Sequence, residues 1–227
     1  MSRRTWLALL GLLPVAAATI PVLDSLGRRR RPGTQRPVQG FHREYFPDVL
    51  LRTQDDEPVR LYSDLLKGKT VLVHFFDAGG RDGRFPEVTG NLLQLQQLLG
   101  ERCGRDVFMY SFTLTPGADP PGRLRTLRAT HRIAAGWTFL TGSARDVELC
   151  RARFGIADPD RALDRVPAQH TNTVLLGNEP HERWLASPAL SSPAFLLEQL
   201  DRVAGVKTER SPGGRLSASA PARAARA

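Results

Sequence analysis

Cysteine is scarce in this chain of 227 residues, which contains two, Cys103 and Cys150. They lie far apart and match no metal-binding or redox spacing, so the sequence lacks the paired thiols that dithiol exchange requires. We interpret both as ordinary cysteines of the core or its margin. A disulfide between them is the alternative in an oxidising compartment.

Recognisable catalytic patterns are also missing. No Ser-His-Asp spacing, nucleotide-binding motif or paired-carboxylate pattern rises above chance in the sequence. The net charge of +9 permits contact with nucleic acid or anionic lipid. The arginines are scattered rather than clustered on an aromatic-rich face, which argues against nucleic acid. We therefore expect neither an enzyme nor a nucleic-acid-binding protein.

The N-terminus, Met1–Leu26, has the features of an export signal. Arg3 and Arg4 form a basic start that resembles a twin-arginine signal, and Ala16–Ala18 form a small-residue cleavage region. The alternative is a membrane anchor, because the uncharged run Trp6–Leu23 is only just long enough to span a bilayer. We expect an exported protein in the periplasm or another extracytoplasmic location. Its signal is either cleaved or kept as a membrane anchor, and a cytosolic location is the third alternative.

Two polar segments enclose one domain, which we place at residues 41–206. Gly27–Gly40 is rich in Arg, Pro and Gly and is interpreted as a basic linker, with lipid-headgroup contact as the alternative. Lys207–Ala227 is rich in Ala, Arg and Ser, so we expect a disordered tail.

The domain is organised around a strand–loop–helix unit. Val71–Phe76 is a short apolar run typical of a buried strand, and Gly79-Gly80 break it. Leucines at helical spacing then predict a helix over Pro86–Leu99. In α/β proteins the loop of such a unit lies at the carboxyl end of the strand, where chemistry is usually placed.

Strands alternate with helices along the rest of the domain, and this order favours an α/β fold with mixed strand directions. Further strands are predicted at Val49–Thr53, Val59–Tyr62, Val107–Leu114, Trp137–Leu140, Thr173–Leu176 and Arg183–Ala186. Further helices are predicted over Arg123–Ile133, from a Ser143 cap to Phe154, and from Ser192 to Val203, with a charged loop at Asp158–Ala168.

Single histidines and tryptophans have simple structural interpretations. His74 alternates with apolar neighbours in its strand, so we expect it to be buried. His131 and His181 lie at a helix end and in a loop, and are expected at the surface. Trp137 and Trp184 are expected in the core.

Five segments, in their order and spacing, carry a resemblance to a known family: Tyr45–Asp55, Asp82–Pro86, Asp106–Asp119, Gly136–Gly142 and His170-Thr171. On these segments the sequence resembles the SCO/SenC proteins, which are copper-handling factors linked to cytochrome c oxidase assembly. The resemblance covers Phe41–Val206. It implies a thioredoxin-like fold, a central mixed sheet flanked by helices with an N-terminal β-hairpin.

The metal motif of that family is altered here. Its Cys-x-x-x-Cys-Pro pattern places the two cysteines on Arg81 and Phe85, while His170 matches the family's copper-ligand histidine. Cu(I) is soft and prefers thiolate ligands, so one imidazole beside a guanidinium is a poor site. Copper is thus implied by resemblance only. His170 has two interpretations. It is a core or hydrogen-bonded residue, or it makes a weak metal contact that a partner protein completes.

The same loop lacks the thiolate that thioredoxin-type exchange needs, so we expect no redox reaction there. Arg81 and Arg84, with the loop glycines and a helix N-terminus, are candidates for an anion contact. A solvated, charged loop is the alternative.

The resemblance implies a role in copper homeostasis and cytochrome c oxidase assembly. The residues favour an accessory or partner-binding protein, whose partner would be an oxidase subunit or another copper-handling protein. An active copper chaperone or thiol oxidoreductase with a non-family ligand set is the alternative, and a relic without function is a third. The N-terminus offers contact with a membrane surface.

Overall fold

The computed structural model describes residues 45–79 and 84–206. The expected signal or anchor, the basic linker, residues 80–83 with Arg81, and the C-terminal tail lie outside the described residues. None of the helices in the described ranges is long and apolar enough to cross a membrane.

The strands of this described part form one sheet. They are β1 (Leu50–Thr53), β2 (Pro58–Arg60), β3 (Thr70–Phe76), β4 (Val107–Thr113), β5 (Trp137–Thr141), β6 (Thr173–Asn178) and β7 (Arg183–Pro188). Their order across the sheet is β2-β1-β5-β4-β3-β6-β7. Strands β3, β4 and β5 run parallel, and all the other neighbours pair antiparallel. The sheet is therefore mixed, and its N-terminal hairpin is β1–β2, as the sequence predicts.

The helices cover both faces of the sheet. They are α1 (Arg84–Leu99), α2 (Pro121–Thr130), α3 (Ala144–Arg153), α4 (Arg161–Asp164) and α5 (Pro193–Ala204). Short helical turns lie at Leu61–Leu66, Gly100–Arg102, Pro167–His170 and Glu179–His181. The predicted cap of α3 is confirmed, because Ser143 accepts a hydrogen bond from Asp146 N. Ser192, where the last helix was predicted to start, caps α5 by accepting a hydrogen bond from Phe195 N.

Alternation along β3 divides the core in two. Leu72 and Phe76 point to the side that α1, α2 and α5 cover, which we call the α1 face. Val71, Val73 and Phe75 point to the side covered by α3 and the turn Leu61–Leu66, which we call the α3 face. Apart from Thr70 and His74 the strand is hydrophobic, because both of its faces are buried.

The strand predicted at Val59–Tyr62 is wrong at its end. β2 stops at Arg60, and the next residues form the turn Leu61–Leu66. The reason is a distant cap: the Asp48 carboxylate accepts hydrogen bonds from Tyr62 N at 3.1 Å and Ser63 N at 2.9 Å. These bonds satisfy amide groups that would be unpaired at the start of a helical turn.

The charged segment Asp158–Ala168 was predicted as a loop, and it contains α4. Asp160 caps this helix by accepting a hydrogen bond from Ala162 N at 2.8 Å. The cap lets four residues form a helical turn despite their low apolar content. This turn carries Asp164, whose position matters for the site described next.

The expected burial of His74, Trp137 and Trp184 is confirmed. Gly177 lies directly beneath the Trp184 ring, where an added Cβ would come within 2.3 Å of the indole. A residue without a side chain is therefore required at this position of β6.

Candidate functional site

Phe85 lies in the first turn of α1, at the position that the resemblance gives to the second cysteine. Its side chain is buried, with 9% of the residue exposed. The ring centroid lies 5.2 Å from that of Phe76 and 5.4 Å from that of His131, which it meets edge to face. The phenyl group therefore fills this position as part of the α1 face, and it offers no metal ligand.

His131 was expected at the surface, and this interpretation is only half right. The residue ends α2 and is half-buried, because one side of its ring packs against Phe85. A contact between side chains that are 46 positions apart leaves no local signal in the sequence.

The candidate anion loop is described in part. Arg84 is half-buried at the start of α1, while Arg81 lies outside the described residues. Before the gap, the Asp77 carboxylate accepts a hydrogen bond from Gly79 N at 3.1 Å, which closes a tight turn after β3. The anion contact through Arg81 and Arg84 stays a prediction.

His170 ends the turn Pro167–His170 and is buried, with 5% exposed. Its Nε2 lies 2.9 Å from the carbonyl oxygen of Asp164 and 3.2 Å from Nη1 of Arg151. The nearer carboxylate oxygen of Asp164 is 3.5 Å away. The imidazole is thus surrounded by polar groups of α3 and α4.

Arg151 is the centre of this polar cluster, with 3% exposed. It makes a bidentate pair with Glu148, at 2.9 and 2.6 Å, and a second with Asp164, at 2.7 and 2.9 Å. Nη1 also donates to the carbonyl of Ile156. Hydrogen bonds from Arg151 hold the pKa of Asp164 well below its usual range. Two carboxylates therefore enclose a buried, permanently charged guanidinium.

The hydrogen bonds of Arg151 determine whether Nε2 of His170 donates or accepts a hydrogen bond. Nη1 has two hydrogens, and Ile156 and Asp164 accept both. Nε2 of His170 must then donate to the carbonyl of Asp164 rather than accept from the guanidinium. A metal ion at Nε2 would have to break this bond and lie beside a fixed positive charge. The arrangement therefore opposes metal binding at that nitrogen.

His74 holds the turn that carries His170. Its Nε2 lies 3.2 Å from the carbonyl oxygen of Thr171, and this contact joins the centre of β3 to the turn. Burial lowers the pKa of His74 to about 4, although the bond to Thr171 opposes the shift. The ring is therefore neutral at neutral pH and acts as a hydrogen-bond donor.

The structure places Phe85 and His170 in different environments. Phe85 belongs to the α1 face. His170 borders a cavity of about 440 Å³ together with Phe154, Leu175 and Trp184, which belong to the α3 face. Within residues 45–79 and 84–206, no three His, Cys, Asp or Glu side chains are grouped so that they could hold a metal ion.

The two cysteines supply no substitute for the family thiols. Both are free, with Cys103 packed against the α1 face and Cys150 inside the α3 face. Burial raises the pKa of the Cys103 thiol, and it raises that of Cys150 to about 12. Both thiols therefore stay protonated at neutral pH, which is unfavourable for nucleophilic attack and for metal binding.

Arg151 and Asp164 are functional-site candidates that the sequence did not reveal. The i, i+3 pair of Glu148 and Arg151 on α3 is a signal of surface pairing, not of burial. Asp164 lies thirteen positions further on, in a segment expected to be loop. The tertiary pairing needed for the buried network could not be foreseen from either feature.

No family model matches the sequence, and no curated protein is significantly similar to it. Solved structures do match. The chain has the fold of the Sco proteins. The fold that the sequence resemblance implies is therefore confirmed.

Three Sco structures illustrate the match. A SCO1/SenC family lipoprotein from Bacillus anthracis is 21% identical, with a TM-score of 0.57, over 75% of this chain and 98% of that one. BsSco, a member of the Sco family of cytochrome c oxidase assembly proteins, is 21% identical, with a TM-score of 0.58, over 76% and 98%. Yeast Sco1 with copper bound is 16% identical, with a TM-score of 0.56, over 78% and 98%. The Sco fold is thus matched over almost the whole length of each relative.

Proposed function

We propose that this chain is an exported Sco-like protein with a role in copper handling and cytochrome c oxidase assembly, and that it acts as an accessory or partner-binding member. The Sco fold supports the first part, because BsSco belongs to a family of oxidase assembly proteins and yeast Sco1 has been solved with copper bound. The altered site supports the second part.

The observation that carries the accessory role is the burial of Phe85. Its ring packs between Phe76 and His131, so the position aligned with a thiol belongs to the hydrophobic core. A site that had merely lost its sulfur would leave a gap at this point. Here the space is filled, which favours a protein selected for its surface rather than for metal transfer.

The side chains do not fit copper as a cargo. Cu(I) favours thiolates, and the described part of the loop and helix offers an aromatic ring at the aligned position. The imidazole of His170 donates through Nε2 and faces the guanidinium of Arg151. No step of copper transfer or thiol exchange is therefore assigned to these residues.

Deletion of the gene in its own cell tests the proposal. We expect oxidase activity to fall under copper limitation and to be restored by the wild-type chain. His170→Gln should restore it equally, because an amide can replace the donor to Asp164 and no metal ligand is required. Normal oxidase activity in the deletion strain would contradict a role in assembly. Rescue by wild type but not by a folded His170→Gln protein would contradict the accessory role.

A further inference from the structure

The last two strands of the sheet, β6 and β7, are covered on one face and open on the other. On the α1 face, α5 packs against both strands. On the α3 face, Leu175 of β6 lies opposite Ala186 of β7, two positions along from Trp184. Leu175 and Trp184 are buried, whereas Ala186 is exposed. Within residues 45–79 and 84–206, this part of the α3 face is therefore left open.

The open part of the face is the floor of the cavity of about 440 Å³ that His170 borders. Leu175 and Ala186 line it, together with Phe154 and Ile156 from the chain that follows α3. The described lining residues include one carboxylate, that of Asp158, and no lysine or arginine. An apolar cavity with one carboxylate at its border suits an occupant that has an apolar side chain and a positive charge.

The described chain begins at the wall of this cavity. Phe46 is buried, and its ring centroid lies 5.0 Å from those of Phe154 and Trp184. Five residues of chain span at most about 17 Å, and Ala186 lies about 7 Å along β7 from Trp184. A residue five positions before Phe46, which is Phe41, is therefore close enough in the chain to reach the cavity.

We propose that residues 41–44 of the same chain occupy this cavity, with Phe41 above Leu175 and Ala186 and with Arg43 paired with Asp158. Phe41 is the largest apolar side chain of residues 27–44, which contain six arginines and one glutamate. The segment thus supplies both the apolar side chain and the positive charge that the cavity suits. The contact covers the side of His170 that borders the cavity, and it is independent of the proposed role in copper handling.

Disulfide cross-linking of the full-length protein tests the contact. Phe41→Cys combined with Ala186→Cys should form a bridge on mild oxidation, because the proposal places the two positions within reach of a disulfide. The product should keep the monomer mass of 25.1 kDa, and peptide mass spectrometry identifies the bridged residues. Phe41→Cys combined with Leu98→Cys is the matched control. Leu98 is 52% exposed, but it lies on α1, on the other side of the sheet, so this pair should not cross-link.

Alkylation of a single introduced thiol tests whether the segment covers the sheet. The rate at which a maleimide labels Ala186→Cys should rise about tenfold when Phe41→Ser is added, since the thiol then no longer depends on local opening of the segment. Val38→Ser, outside residues 41–44, should leave the rate unchanged. Equal cross-linking of the two cysteine pairs, no bridge in either, or a labelling rate that Phe41→Ser does not change would overturn the proposal. A bridge between two chains would also overturn it, because the occupant would then be the segment of a second copy.

Discussion

The two described positions that the Sco resemblance assigns to copper have been filled in opposite ways. Phe85 has joined an apolar core, with aromatic rings about it. His170 has kept its imidazole but lies in a buried network of charges around Arg151. The comparison teaches that the site has not simply lost ligands. Phe85, one half of the site, now contributes to core packing. His170, the other half, belongs to a salt-bridge network whose cation is the guanidinium of Arg151.

The largest loss of stability should come from a substitution in the network of charges around Arg151. Arg151→Met removes the guanidinium and leaves Asp164 and its neighbours without their partner, so we expect the free energy of unfolding to fall by about 4 kcal/mol. Arg145→Met, at an exposed position of the same helix, should cost less than about 0.5 kcal/mol. Chemical denaturation measures both. Equal effects would show that the network contributes nothing.

Substitution of Phe85, the apolar half of the site, should reduce stability almost as much. Phe85→Ala leaves a cavity between Phe76 and His131, and we expect a loss of about 3 kcal/mol in the free energy of unfolding. Phe85→Leu should cost about 1 kcal/mol, because it keeps most of the apolar volume. Denaturant titrations of the two variants give the comparison. If Phe85→Ala were as stable as the wild type, the ring would not be part of the core.

Acidification should reveal the contribution of His74, the histidine that joins β3 to the turn carrying His170. His74 has a pKa near 4 when folded and an ordinary value of about 6.5 when unfolded, so between these pH values the unfolded state takes up a proton that the folded state does not. Its contribution to stability is complete above pH 6.5 and is lost as the pH falls. We expect a decrease of about 1.6 kcal/mol between pH 6.5 and 5.

Denaturation at a series of pH values measures this slope. His74→Gln should flatten it, since glutamine does not titrate, whereas His181→Gln, at an exposed position, should leave it unchanged. A slope that persists in His74→Gln would mean that other groups titrate with unfolding.

The smallest effect concerns the helix that carries Arg151. Ser143 caps α3 through Asp146 N, so Ser143→Ala should cost about 1 kcal/mol of stability. Ser143→Thr should restore most of it, because its hydroxyl can accept the bond from Asp146 N and also donate to the Asp146 carboxylate, as the serine does. Thermal unfolding of the two variants measures the difference. Equal melting temperatures for both would show that the cap is not needed to position α3.

The parts of the structure that follow from local pattern could be predicted from the sequence. The apolar run of β3, the leucine spacing of α1 and the Ser143 cap of α3 each depend on neighbouring residues, and His74 was placed correctly because its neighbours in the strand are apolar. These features are set within one element, so the sequence contains the signal.

The site could be predicted only in part. The absence of thiols at Arg81 and Phe85 is visible in the sequence, but the burial of Arg151 depends on Asp164, and the turn after β2 depends on Asp48. Such pairings join residues more than ten positions apart, and a charged residue on a helix is ordinarily exposed. The burial of His170 beside Arg151 and Asp164 could therefore be recognised only from the structure.

A Cu(I) titration of the full-length protein against a competing chelator tests the central claim most directly. If both halves of the site are occupied by the protein's own side chains, the wild-type chain should compete no better than the His170→Ala variant, and neither should remove copper from a chelator with nanomolar affinity. Tight, stoichiometric copper binding by the wild type that His170→Ala abolishes would contradict the account.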